Sequence, residues 1–243
     1  MDILHHFKYP SMFDLQLFGV DISVNKAILT LWIAAFCVLA LILIASRKPK
    51  FVPGFFQNLI EVSIDFIKNE MLFDMPENQK NAWIPFLLAL FGLIFICNII
   101  SLVPGAAAVT ASLNFTGTLA VIVFITSQIF SIKTHGVRGY FGSFVPRDIP
   151  PFILPLLVPI EVITRLARPF SLAIRLFANI FAGHTIILVF FSLAIMLKSY
   201  FTGMIPLLGS VLISAFEIFI GFIQAFIFTY LSAMYITEAV GEH

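Results

Sequence analysis

Two apolar stretches near the end of the chain, residues 154–198 and 206–240, are too long for the solvent their composition demands. Helices of those lengths, at about 1.5 Å per residue, extend roughly 65 and 50 Å, whereas a bilayer's hydrocarbon core is about 30 Å thick. They cannot stand upright. Pro155, Pro159 and Pro169 permit kinks in the first stretch, but the second has no proline beyond its opening residue. A tilt well past the usual 20° or so accommodates both. Between them lies SYFTGMIP, Ser199 to Pro206, which reads as a turn. The expectation is a steeply tilted antiparallel hairpin.

Composition agrees with a membrane environment. The 243 residues are 60% hydrophobic and 11% charged, against about a quarter charged in ordinary soluble domains. Runs 27–46, 83–100 and 115–132 match the roughly 20 residues needed to cross a bilayer as a helix. Residues 53–72 follow a different pattern. Phe56, Ile60, Ile64, Ile67 and Met71 recur at helical spacing, with Asn58, Glu61, Asp65 and Lys68 on the other face. Such a helix lies on a membrane surface. The predicted fold is an all-α integral membrane protein of one domain, residues 1–243, with about five crossing helices and one amphipathic surface helix. A polar leader with Asp2, His5, Asp14 and Asp21 precedes them.

Cys37 and Cys97 fall in apolar runs and make no disulfide framework. A net charge of +1 excludes an electrostatic nucleic-acid binder. Basic residues set the orientation. Arg47, Lys48, Lys50, Lys68 and Lys80 lie between the first two spans, and Lys133, Arg138 and Arg147 follow the third. The Ser101–Asn114 loop has none, and only Lys198 adjoins the last turn. These loops place the N-terminus outside and the C-terminus inside.

Ionisable residues within the spans are costly and mark function by default. Arg175 cannot escape by losing its proton. It lies too deep in its apolar stretch to reach the membrane surface, unlike Arg165 and Arg168, which snorkel near the inner end. Ser171, Ala178, Asn179 and Ala182 share its helix face. Small residues around a charge allow another helix to approach, so the cation is presented to a partner that brings an acid. The second long stretch carries Ser210, Ser214, Glu217, Gly221 and Gln224 along one stripe, with Tyr235 and Glu238 near its end. In an antiparallel pair, residues at equal depth have position numbers with a common sum. His184 then meets Glu217, Arg175 meets Gln224, and Glu161 meets Glu238. An acid beside a histidine relays protons near neutral pH. His184 falls opposite Arg175 at about 100° per residue, which separates the two sites. No catalytic nucleophile, metal-ligand spacing or phosphate-cradling glycine loop is present, so neither catalytic residues nor a cofactor or metal are expected.

SLAIRLFANIFAGH, EIFIGFIQAFIFTYL and NIISLVPG closely resemble subunit a of the F-type rotary ATP synthase. The likeness covers most of the chain and is strongest from Glu161 to Glu242. It implies a stator subunit without catalytic activity of its own, in which two offset half-channels carry protons to and from a rotating ring of c subunits. By this resemblance Arg175 meets the ring carboxylates, Asn179 and Gln224 are its polar neighbours, His184 and Glu217 form the outer pair, and Glu161 and Glu238 belong to the inner channel. The implied partners are the c-ring, peripheral-stalk b-type subunits, other ATP synthase subunits and the bilayer. The implied location is an energy-coupling membrane such as the bacterial inner membrane, with the C-terminus cytoplasmic. The alternative is a stand-alone secondary transporter with an intramembrane cation site. It would need its own counter-acid for Arg175 and usually shows an internal repeat. An intramembrane hydrolase lacks a visible activated nucleophile.

Overall fold

The computed structural model describes residues 11–13, 16–17, 20–21, 24–46, 54–103, 106–142, 152–197 and 200–240. The leader residues Asp2, His5 and Asp14, the basic Arg47, Lys48, Lys50, Arg147 and Lys198, and Ser199 of the expected turn lie outside them.

Four strands of two or three residues form two antiparallel pairs at the start. β1 (Ser11–Phe13) pairs with β4 (Val24–Asn25), and β2 (Gln16–Leu17) with β3 (Val20–Asp21). The rest of the described chain is built from helices: α1 (Lys26–Ser46), α2 (Phe55–Phe66), α3 (Glu77–Ser101), α4 (Leu113–Gly142), α5 (Leu154–Met196) and α6 (Tyr200–Val240). All but α2, 5 in number, are long and apolar enough to cross a membrane. The protein is an all-α membrane protein, because in hydrocarbon only internal hydrogen bonding satisfies the backbone.

Local chemistry explains the helix ends. Asn25 Oδ1 accepts the Ile28 N–H at 3.0 Å and caps α1. α3 starts earlier than its apolar run because Pro76 precedes it and Glu77 occupies the first turn, where an acid complements the helix dipole. Lys80 donates to Glu77 at 3.0 Å and Lys68 lies 3.6 Å from the same carboxylate. This ties the end of the amphipathic segment to α3. The Lys80 hydrogen bond holds the Glu77 carboxyl below the usual carboxylate range. The amphipathic segment ends in one π-helical turn, Ile67–Met71, which buries Ile67 and Met71.

α5 and α6 contain 43 and 41 residues, or roughly 65 and 60 Å of helix. They form the most extensive interface in the fold. Their turn is tighter than the expected Ser199–Pro206 segment, because residues 200–206 are already helical. In a bilayer, leaving that backbone unpaired costs more than accommodating Gly203 and Pro206 inside a helix. Gly203 suits the close approach there, since a Cβ would stand a tight 3.1 Å from the Ala194 carbonyl oxygen.

α4 also departs from a plain span. It runs beyond residue 132 and breaks at Gly136, whose φ of 72° favours glycine. The break folds the chain back, so the Tyr140 hydroxyl donates to Gln128 Oε1 at 2.7 Å. Two packed clusters fix the hairpin against α3 and α4. One joins Ile94, Ala120, Val123, Leu176, Ile180 and Phe228 with Ala108 and Ala111 of the α3–α4 connection. The other joins Ile67, Leu72, Trp83 and Leu87 with Ala233 and Ile236.

Candidate functional site

α5 is two-sided. Leu172, Ala173, Leu176 and Ile180 are buried against the other helices. Ser171, Arg175, Ala178, Asn179 and Ala182 form an exposed face. Among the described residues, no ion pair or hydrogen bond engages the Arg175 guanidinium. Beside it, Asn179 Nδ2 donates to Gln224 Oε1 at 2.8 Å across the hairpin. Gln224 is buried, and its Nε2 has no protein partner among the described residues. The result is a charged, small-residue surface backed by one fixed amide bridge.

Further along the hairpin, His184 Nε2 stands 3.7 Å from Glu217 Oε1. That distance permits an ionic approach but is too long for a hydrogen bond. Both Glu217 oxygens and His184 Nε2 are buried without hydrogen-bond partners among the described residues. Buried polar groups are otherwise nearly always paired, which sets this pair apart. Gly183 makes the approach possible: a Cβ there would stand 2.9 Å from both Cδ and Oε1 of Glu217.

At the opposite end, Arg165 Nε donates to Glu161 Oε1 at 2.9 Å. Arg168 donates two hydrogen bonds to the Glu238 carboxylate, the second at 3.1 Å, and its guanidinium lies 5.3 Å from the Tyr235 ring centroid. The expected level pairing of Glu161 with Glu238 thus takes another form, in which each acid is held by an arginine on α5. Like charges are kept apart, and Arg165 and Arg168 do more than snorkel.

The structure adds residues that sequence reasoning passed over. Asn98 on α3 is buried and donates from Nδ2 to the Gly221 carbonyl at 3.0 Å, one helical turn from Glu217. Thr110, in a 3-10 turn over Val109–Ala111, is fully buried with its hydroxyl unpartnered among the described residues. On α4, Ser127 and Ser131 are buried. The signal for the serines was their spacing of one helical turn. Asn98 and Thr110 sit in apolar sequence with no periodic partner to flag them.

Comparison with known proteins identifies the family. Residues 28–237 match the family described as ATP synthase A chain. The chain belongs to that family. Its relatives named ATP synthase subunit a include one from Magnetococcus marinus, 36% identical over 100% of this chain and 94% of its own length. Another, from Acidiphilium cryptum, is 37% identical over 93% of this chain and 92% of the relative. A third, from Pelagibacter ubique, is 34% identical over 95% and 93% respectively. The ATP synthase A chain match runs from within α1 into α6; it covers Glu161, Arg175, His184, Glu217 and Gln224 and stops one residue short of Glu238.

Proposed function

We propose that this chain works as one membrane domain, the ion-translocating stator of an F-type ATP synthase. It provides two offset half-channels and does no bond-making chemistry itself. His184 and Glu217 pass protons on the outer side, and Glu161 and Glu238 serve the inner side. Arg175, flanked by Asn179 and Gln224, faces the carboxylates of a c-subunit ring between the channels. The N-terminus lies outside and the C-terminus in the cytoplasm of a bacterial inner membrane, with peripheral-stalk b-type subunits as further partners.

One observation carries the reading: Arg175 is a permanent cation on an exposed face of small residues, without a counter-acid among the described residues. The acids of α5 and α6 are otherwise occupied, Glu161 by Arg165, Glu238 by Arg168, and Glu217 facing His184. A stand-alone transporter would need one of them for Arg175. A mobile external carboxylate removes the difficulty. It is ionised only while passing the guanidinium, and Arg175 blocks direct proton leakage because it does not release its own proton. The attraction must stay moderate, since the membrane potential supplies about 2.3 kcal/mol per charge per 100 mV. Exposure of the guanidinium keeps it hydrated and the contact exchangeable.

The test is ATP synthesis and passive proton flux in vesicles carrying the intact complex. Arg175→Ala should abolish coupled synthesis while the complex still assembles. Arg175→Lys should fail as well, because an ammonium lacks the planar fork and loses its proton when desolvated. Near-normal synthesis by Arg175→Ala would overturn the proposal. Co-purification with a rotor ring and stalk subunits in mild detergent supports it, whereas isolation alone or as a homo-oligomer favours the transporter.

A further inference from the structure

A cavity of about 540 Å³ lies between α1, α2 and α3, within the range of about 300–1,000 Å³ typical of small-molecule sites. Val38 and Ile42 of α1, Leu59 and Phe66 of α2, and Leu88 and Ile99 of α3 mark its extent. Its floor is aromatic. Phe91 and Phe95 of α3 meet the Phe222 ring of α6 edge-on, at centroid distances of 5.8 and 5.6 Å, a favoured geometry for ring pairs. At Gly92 a Cβ would stand 3.3 Å from Val38 Cγ1, so α1 and α3 touch and close that side. Ser63 is the one polar side chain in the wall among the described residues, and its hydroxyl already donates to the Leu59 carbonyl at 2.7 Å. The wall offers a ligand apolar contact and no free side-chain donor.

The packing of α2 depends on this space. The helix buries none of its residues, and Leu59, Val62 and Phe66, which line the cavity, are about half exposed. An apolar face over an empty space forfeits its dispersion contacts. Water does not replace them, because an apolar cavity stays dry. In a bilayer the filler at hand is hydrocarbon.

Extent decides which hydrocarbon. From Leu88 to Ile99 the wall on α3 measures roughly 16 Å at about 1.5 Å per residue. From Val38 to Ile42 the wall on α1 measures only about 6 Å by the same rise. The hydrocarbon core is about 30 Å thick, so the cavity spans about half of it, the depth of one leaflet. A membrane-crossing helix of another subunit needs a seat about twice as long.

We infer that this cavity is a lipid site, in which a fatty-acyl chain of one phospholipid lies along Phe91, Phe95 and Phe222 and completes the packing of α2 against α1 and α3. The inference does not rest on the stator reading and concerns helices which that reading does not use. The headgroup, for which the wall holds no donor, stays at the membrane surface. The site therefore selects a chain and not a headgroup charge.

The experiment uses the intact complex in phosphatidylethanolamine–phosphatidylglycerol vesicles containing a trace of phosphatidylcholine with a photoreactive diazirine on one acyl chain. Adducts are located by peptide mass spectrometry after illumination. They should fall within residues 59–66 and 88–99. After dilution into unlabelled vesicles, labelling there should persist several-fold longer than at Phe36, which is 71% exposed on α1 and reports bulk lipid. Ile96→Trp fills the space and should cut the cavity adducts several-fold while leaving those at Phe36 unchanged. Ser63→Trp should do the same from α2, where no buried packing is disturbed. Phosphatidylglycerol with the same labelled chain should give the same pattern. Stripping lipid with detergent should speed proteolysis within α2 several-fold in the wild type and not in Ile96→Trp. Exchange at the cavity as fast as at Phe36 would mean bulk lipid only and overturn the inference. Absence of cavity adducts in the assembled complex would overturn it too, because another subunit then covers the wall.

Discussion

Replacing Gly183 by Ala tests the outer pair at the point where the structure is tightest. A Cβ at this position would sit 2.9 Å from Glu217 Cδ and Oε1 and 3.3 Å from its Cγ. Optimal carbon contacts lie near 3.5–4.0 Å, so the carboxyl group must retreat by at least about 0.6 Å. The obstacle is the tip of a flexible side chain and not backbone, so the hairpin itself need not open. An off-rotamer displacement of Glu217 costs of order 0.5–1.5 kcal/mol. The complex should therefore assemble normally. Proton exchange is less tolerant, because partners must come within about 3.2 Å or share one water. His184 Nε2 and Glu217 Oε1 already stand 3.7 Å apart. If the displacement energy adds to the transfer barrier, at about 1.4 kcal/mol per factor of ten, proton-driven ATP synthesis should fall roughly two- to tenfold. Glu217→Asp, by shortening the side chain, should relieve the Ala clash and recover part of the loss in the double variant. The assay is synthesis driven by an imposed proton gradient in vesicles normalised for assembled complex. Unchanged turnover in Gly183→Ala would falsify the claim that carboxyl placement against His184 matters.

Other outcomes follow from the same geometry. Glu217→Gln keeps the shape but cannot titrate, so proton-driven turnover should drop with assembly intact. Exchanging His184 and Glu217 should cost less than the worse single change, and full activity of Glu217→Gln at every accessible pH would reduce the acid to a structural role. Gly136→Ala forces a side chain into a positive-φ conformation, at a cost of order 1–3 kcal/mol. It should loosen the Tyr140–Gln128 bond, seen as faster proteolysis of the α4 end, and an unchanged cleavage rate would remove the hinge from the account. Glu77, whose carboxyl is held below its usual value by Lys80, contributes stability above the unfolded carboxylate pKa and loses it as pH falls through the lower folded value. The melting difference between wild type and Glu77→Gln should therefore close on acidification, and a difference that widens there would contradict the sign.

Much of the architecture was legible because it follows from local composition. The apolar runs, the scarcity of charge and the lengths of 154–198 and 206–240 dictate helices in lipid and a hairpin longer than the bilayer is thick. A helix rises by a constant amount per residue, so position numbers also order depth. That is why His184 and Glu217 approach one another across α5 and α6, whereas Gln224, expected level with Arg175, is bonded instead by Asn179 one helical turn along. The lone Arg175 among small residues was visible for the same reason, since a face of one helix is a local property.

What the tertiary structure alone decided involves elements that sequence spacing does not connect. Glu238 is taken by Arg168 and Glu161 by Arg165, because rotation and side-chain reach, and not depth alone, choose ion-pair partners. Residues 107–111 of the α3–α4 connection, apolar enough to read as a plain loop, are tucked inside, with Ala107 and Thr110 fully buried. Gly221 leaves room for Asn98 to bond its carbonyl, a contact between α3 and α6 that no periodicity announces. The serine face of α4 becomes a cavity wall only when α5 and α6 pack against it. A charge, a period or a length is written in neighbouring residues. Which faces meet is settled by how the helices pack together, and that depends on side chains distant in the chain filling the same space.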